Sequence, residues 1–188
     1  MLPIHRTITL LAGLAIIACE GNSDPGTTGP TFAPTAPTFS AEASTPNGFQ
    51  SVTGHYQFVG INTGNDFKYS FSAIRHVDGS ISGEFEERVV LNSTGDFVRQ
   101  THGTVTCLQI VGKMARIGGL VDQATDPRFL PGTEFRLVVV DNGQGQSGDP
   151  DLGSNARFGV PGSARTFCNA GTAFNLEPVE HGNIEVRP

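Results

Sequence analysis

The sequence predicts an all-β domain, either a single antiparallel β-sandwich or a partly closed β-barrel of roughly eight strands. Three observations point to this fold class. The 188 residues include 24 Gly, 12 Pro and 13 Phe but no Trp, a composition typical of turn-rich β proteins. From Phe49 onward, short runs of alternating apolar and polar residues are separated by turn residues. No amphipathic helix of useful length appears in that part of the sequence. We therefore assign residues 49–188 to one β domain with a modest core.

The strands of the first half are predicted from this alternation. A first strand lies between Phe49 and Gly60, and residues 62–65 form a turn. The next strand has apolar side chains on one face and polar side chains on the other, namely Phe67, Tyr69, Phe71 and Ala73 against Lys68, Ser70 and Ser72. Asp78-Gly79 is a strong hairpin signal. The returning strand places three apolar residues inward and three charged residues outward, namely Ile81, Phe85 and Val89 against Glu84, Glu86 and Arg88.

The second half continues in the same way. The next elements are a turn at 92–96, a strand through 97–110, a reversal at Gly112-Lys113 and a strand over 114–121. Gly103 and Gly119 lie inside these strands, where glycine permits bulges or sharp coiling. Residues 135–140 are apolar on both faces, which predicts a central strand covered on both sides. Residues 157–168 are interpreted as irregular. The closing strands are predicted at 172–176 and 183–186.

The first 19 residues have the pattern of an export signal. Arg6 precedes an apolar run from Ile8 to Ala18, which is shorter than the roughly 20 residues that a membrane-spanning helix needs. The run ends in Ile16-Ile17-Ala18-Cys19, which resembles the lipobox of bacterial lipoproteins. The resemblance implies that residues 1–18 are a signal peptide, that cleavage occurs before Cys19, and that Cys19 carries lipid on its sulfur.

A linker follows the predicted lipid anchor. Residues 19–48 are rich in Thr, Pro, Ser and Gly, and their five prolines exclude a continuous helix or ladder. We interpret them as a disordered tether that separates the β domain from the membrane. Glu20, rather than Asp, follows the lipobox cysteine. By resemblance to lipoprotein sorting in enteric bacteria, this favours the outer membrane over the inner one if the cell has two membranes.

The charge balance limits the classes of partner. The chain has 12 basic and 18 acidic residues, and removal of Arg6 with the signal leaves 11 − 18 = −7. An acidic chain without basic runs is a poor candidate for nucleic acid, because phosphate contacts need clustered Lys and Arg. The same balance argues against electrostatic adhesion to anionic lipid. Association with the membrane is therefore expected through covalent lipid.

Three cysteines allow one disulfide if Cys19 carries lipid. Cys107 and Cys168 then remain, and an even remainder in an exported protein favours a bridge between them. The alternative is a pair of buried free thiols. A bridge would close a loop of about 60 residues and stabilise the fold by about 4 kcal/mol in the chain-entropy model.

Motifs for catalysis are lacking in the sequence. It has no G-x-S-x-G elbow, no HExxH pair, no phosphate-binding loop and no CxxC, and its histidines are scattered. We therefore expect no enzymatic activity and no organic cofactor. Calcium is the candidate metal, at a loop with oxygen side chains on Asp141, Asp149, Asp151 and Asn155. The alternative for this loop is a plain Gly/Asp-rich connection.

The function expected from these features is that of a cell-envelope lipoprotein. Its β domain would be non-catalytic and would serve binding, adhesion or envelope structure, with an envelope protein, a glycan or a small ligand as partner. One alternative is a barrel-type carrier of a small apolar ligand, and another is an enzyme whose site is assembled from distant residues. Residues 103–186 include GTVTCLQIVGKMARIGGLV, VVVDNG and GNIEV, which resemble patterns in uncharacterised secreted bacterial β domains. That resemblance implies a β fold and names no activity.

Overall fold

The computed structural model describes residues 48–60, 63–143 and 148–188. The predicted signal peptide and nearly all of the linker, up to residue 47, lie outside these residues. Within them the chain forms the following strands and helix: β1 Gln50–Val59, β2 Asn65–Arg75, β3 Ile81–Leu91, β4 Phe97–Val111, β5 Met114–Ala124, β6 Glu134–Val140, β7 Leu152–Gly153, β8 Arg157–Gly159, α1 Ser163–Ala170, β9 Glu177–Pro178 and β10 His181–Arg187. In this part of the chain, no helix is both long and apolar enough to cross a membrane.

The strands form one antiparallel sheet that curls into a half-barrel, which confirms the predicted all-β class. The order across the sheet is β10-β1-β2-β3-β4-β5-β6-β7-β9, and β8 also pairs with β6. Strands β1 to β6 follow one another as a meander, and β10 returns to pair with β1 along residues 51–57. Alternation on β2 is as predicted, because Phe67, Tyr69, Phe71 and Ala73 are buried while the polar residues between them are exposed.

The interior of the half-barrel is filled by aromatic and aliphatic side chains. Tyr56, Phe58, Phe85 and Phe135 are each 2% exposed or less. The rings of Phe85 and Phe135 stack with their centroids 4.2 Å apart. Gly119 makes room for this stack, because a Cβ atom there would lie 2.8 Å from the Phe135 ring. The predicted role of the strand glycines is confirmed on β4, whose pairing with β5 shifts register at Gly103.

Strand β6 is covered on both faces, as its sequence predicts. Leu137 and Val139 face the main core, and Val138 faces a second cluster formed with helix α1. Phe167 of the helix and the bridged pair Cys107–Cys168 belong to this second cluster. The two cysteines are joined, with Cα atoms 6.3 Å apart, so the predicted disulfide is confirmed. It fixes α1 to β4 across a sequence separation of 61 residues.

The segment interpreted as irregular, residues 157–168, is instead ordered as β8 and most of α1. The helix has no local start signal, because its N-cap is Gly162, which has no side chain to cap it. Glu134 of β6 supplies the missing acceptor. Its carboxylate accepts hydrogen bonds from the amides of Gly162 and Ala164 at 2.8 and 2.6 Å. The N-terminus of the helix is thus capped by a side chain that lies 28 residues earlier in the sequence.

The predicted closing strands are corrected in one place. Residues 172–176 do not form a strand. The strand that pairs with β7 is β9, which follows them and consists of two residues. Strands this short have no alternation that a sequence pattern could reveal. The last predicted strand, 183–186, is confirmed within β10.

Candidate functional site

The predicted lipid-attachment residue, Cys19, lies outside the described residues. Cys107 and Cys168 pair with each other in the second cluster. The remaining predicted site residues belong to the acidic segment after β6, of which residues 141–143 and 148–155 are described.

The carboxylates of Asp141 and Asp151 bind backbone amides of β10. Asp141 accepts from the Val186 amide, and Asp151 accepts from the Ile184 amide, each at 2.9 Å. The second oxygen of each carboxylate accepts a hydrogen bond from a backbone amide of the same loop. The donor is the Gly143 amide for Asp141 and the Asn142 amide for Asp151. Strand β10 is the edge of the sheet, and pairing with β1 uses only one of its sides. The two aspartates therefore join the β10 edge to the end of β6.

Of the other two candidate metal ligands, Asp149 lines the same surface pocket as Asp151, and Asn155 does not. Asp149 is exposed, and the side-chain oxygen of Asn155 lies 3.2 Å from the Tyr69 hydroxyl in the core. Among the described residues, no group of three or more His, Cys, Asp or Glu is placed to hold a metal ion. The structure thus brings Asp141 and Asp151 together at one edge and separates Asn155 from them. A calcium site in this loop stays a prediction.

A buried charge that the sequence analysis did not single out lies inside the half-barrel. Glu87 of β3 is fully buried and forms a two-pronged ion pair with Arg99, with N–O distances of 2.9 and 3.1 Å. The Tyr69 hydroxyl lies 3.2 Å from a Glu87 oxygen and accepts a hydrogen bond from the Ala156 amide. The Arg99 guanidinium also lies over the ring of Phe129, 5.3 Å from its centroid. Arg99 thereby closes one end of the aromatic core.

Burial sets the protonation of the two core tyrosines. Desolvation raises the pKa of Tyr56 and of Tyr69 well above the ordinary value of 10.0, and the nearby Glu87 carboxylate raises both further. Both phenols therefore stay neutral hydroxyls at physiological pH. Tyr56 donates to the backbone oxygen of Ser154 at 2.7 Å. Tyr56 as a donor and Tyr69 as an acceptor thus join β1 and β2 to the segment after β7.

The alternation on β3 contains the signal for the buried carboxylate. If Ile81, Phe85 and Val89 face inward, then residue 87 faces inward as well. Glu84 on the same strand is exposed, as predicted, and Glu86 accepts a hydrogen bond from Gln100. Glu87 differs from both because it needs a buried partner, and Arg99 is that partner.

Comparison with known proteins leaves the site to be interpreted from its own geometry. No family model matches the chain, and neither a curated protein nor a solved structure matches it significantly.

Proposed function

We propose that the chain is a cell-envelope lipoprotein that carries a non-catalytic β domain on a tether. Cleavage before Cys19 and lipid on its sulfur hold it to the membrane, with the outer membrane favoured where two membranes exist. The domain serves binding, adhesion or envelope structure. Its partner is an envelope protein, a glycan or a small ligand.

The pairing of Cys107 with Cys168 carries this proposal. The sequence has three cysteines, and the one outside this bridge is Cys19, at the position that resembles a lipobox. Disulfides persist in oxidising compartments outside the cytoplasm, which is where a lipoprotein signal would send the chain. Two features of the cysteines thus support export, namely the position of Cys19 in a lipobox-like pattern and the disulfide between Cys107 and Cys168.

The packing of the interior supports a binding or structural role over the carrier alternative. A carrier of an apolar ligand needs internal space, whereas Tyr56, Phe58, Phe85 and Phe135 fill the half-barrel with stacked rings.

The buried charges support a non-catalytic domain. Glu87 and Arg99 neutralise each other inside the core, so neither presents a free acid, base or nucleophile to a substrate.

The anchor is tested by expressing the full chain and its Cys19→Ser variant in a bacterial host. We expect the wild type in the membrane fraction, labelled by a radioactive fatty acid, and the variant released or retained as an unlabelled precursor. A matched Ser23→Ala variant in the linker should behave as the wild type. If Cys19→Ser fractionates, migrates and labels like the wild type, the lipoprotein assignment is wrong.

A further inference from the structure

A groove at the end of the half-barrel opposite Arg99 has two arginines in its lining. Its volume is about 440 Å³, and it lies between the ends of β2 and β4 on one side and helix α1 on the other. Arg75 comes from β2 and Arg165 from α1. The residues that line it are Gln50, Arg75, Ile81, Thr106, Cys107, Leu108, Gln109, Ile110, Arg165, Cys168 and Asn169.

The groove is lined by basic residues, although the chain as a whole is acidic. The whole sequence has 18 acidic and 12 basic residues, yet no carboxylate is among the described residues that line the groove. Arg99 forms an ion pair with Glu87, whereas neither Arg75 nor Arg165 forms an ion pair within the described residues. Two arginines therefore line one space, and no described residue there supplies a counter-charge.

Arg75 has a backbone partner for one N–H group and no described acceptor for another. Its Nη2 donates to the backbone oxygen of Leu108, a residue that also lines the groove. Its Nε is buried and has no hydrogen-bond partner among the described residues. A guanidinium group presents its N–H donors as a planar fork that matches the oxygens of carboxylate, sulfate or phosphate.

The rest of the lining adds polar groups suited to an anion. Gln50, Thr106 and Asn169 are amides and a hydroxyl, which can donate hydrogen bonds without adding negative charge. The side-chain oxygen of Gln109 already accepts from Arg116 at 2.8 Å, which brings a third guanidinium group close to the lining. The disulfide fixes helix α1, and with it Arg165, against β4. The backbone that carries Arg165 is thus fixed to β4, which lines the other side of the groove.

We propose that this groove binds an oxyanion, a phosphate, sulfate or carboxylate group, between Arg75 and Arg165. The group is either a free ion or part of a larger anionic molecule such as an acidic glycan. The binding requires the disulfide-fixed domain and does not depend on lipid at Cys19. The proposal of an oxyanion site would therefore remain valid even if the lipoprotein assignment were wrong.

Calorimetric titration of the full chain in detergent, at constant ionic strength, tests the proposal. The probes are inorganic phosphate, galacturonate and polygalacturonate. The groove variant is Arg165→Gln on the exposed side of α1, and the matched control is Arg88→Gln, an exposed arginine on β3 with the same change of charge. We expect saturable binding by the wild type and by the control, and binding about tenfold weaker in Arg165→Gln, because a charged hydrogen-bond partner is lost.

The three probes separate the sources of the oxyanion. Binding of phosphate or galacturonate shows that a small ion is sufficient, and binding of polygalacturonate alone shows that the group is recognised within a polymer. Either result supports the proposal when Arg165→Gln weakens it and Arg88→Gln does not. Arg75→Lys, which keeps the charge but loses the planar fork, should also weaken binding. The proposal is overturned if no probe binds saturably, or if the two glutamine variants bind equally well.

Discussion

Asp141 accepts a hydrogen bond of 2.9 Å from the Val186 amide, and this contact joins two parts of the sheet that strand pairing leaves apart. Asp151 makes the equivalent contact with the Ile184 amide two residues earlier on the same strand. Alternate amides of an edge strand point to the same side, so two carboxylates take the place of a missing neighbouring strand. They also cover an edge that would otherwise be open to pairing with another chain.

Removal of the second of these carboxylates should destabilise the fold. In Asp151→Ala the Ile184 amide loses a charged acceptor, and we expect the free energy of unfolding to fall by about 2 kcal/mol. Urea unfolding followed by circular dichroism measures it. Asp149→Ala is the matched control, because it removes the same charge from an exposed position of the same loop and should cost under about 0.5 kcal/mol. Equal losses in both variants would mean that the β10 contact contributes nothing.

The calcium hypothesis for this loop gives a separate prediction. If calcium binds Asp141, Asp149 and Asp151, millimolar calcium should raise the thermal unfolding midpoint relative to chelator, because a bound ion stabilises the folded state. The increase should disappear in Asp149→Ala, which leaves both contacts with β10 in place. A wild-type midpoint that is the same with calcium and with chelator would leave these carboxylates with their hydrogen-bonding role alone.

Removing one partner of the buried ion pair of Glu87 and Arg99 should destabilise the fold strongly. Replacing both partners with apolar residues should destabilise it much less. Glu87→Gln leaves the Arg99 charge without its carboxylate, and we expect a loss of about 3 kcal/mol in the free energy of unfolding. Glu86→Gln, on the outward face of the same strand, should cost under about 0.5 kcal/mol. The double variant Glu87→Leu/Arg99→Leu should recover much of the loss, because neither charge remains to be buried. A double variant less stable than Glu87→Gln would contradict this account.

The contact between Glu134 and helix α1 predicts a pH dependence. Partial burial raises the pKa of Glu134, but hydrogen bonds from the Ala164 and Gly162 amides and from Ser163 outweigh it, and the net pKa lies below the ordinary value of 4.5. A lowered folded pKa stabilises the fold above the ordinary carboxyl pKa, and this contribution is lost as the pH falls through the folded value.

Glu134→Gln should therefore destabilise the domain by about 1 kcal/mol at neutral pH, as loss of a helix cap does. The difference from the wild type should shrink between neutral pH and an acidic pH below the folded pKa of Glu134, because the carboxyl group is then as neutral as the glutamine amide. Urea unfolding at the two pH values measures it, with exposed Glu84→Gln as the control. A difference that does not change with pH would argue against a role for the Glu134 charge.

Much of the sheet could be predicted from the sequence because its strands are long and half-buried. The alternation from Phe67 to Ala73 and the apolar run of β6 are local signals, and both predict the burial that the structure has. The disulfide was predictable because, with Cys19 assigned to lipid, only one pairing of the three cysteines remained.

The parts that could not be predicted depend on contacts distant in sequence. Helix α1 begins at Gly162, where no local cap exists, and is fixed by Glu134 and by the Cys107–Cys168 bridge. The acidic loop has the residue types of a cation site, but two of its carboxylates bind the amides of β10, a strand some 30 residues or more further along. A sequence pattern reports which oxygens a loop has and does not report which donors the fold brings to them.

The most direct test of the central proposal is mass spectrometry of the protein purified from bacterial membranes without reduction. We predict a first residue at Cys19 whose mass includes covalent lipid, and a peptide pair joined through Cys107 and Cys168. The Cys19→Ser variant is the control for the lipid mass. A protein that retains residues 1–18, or that begins at Cys19 without lipid, would contradict the account.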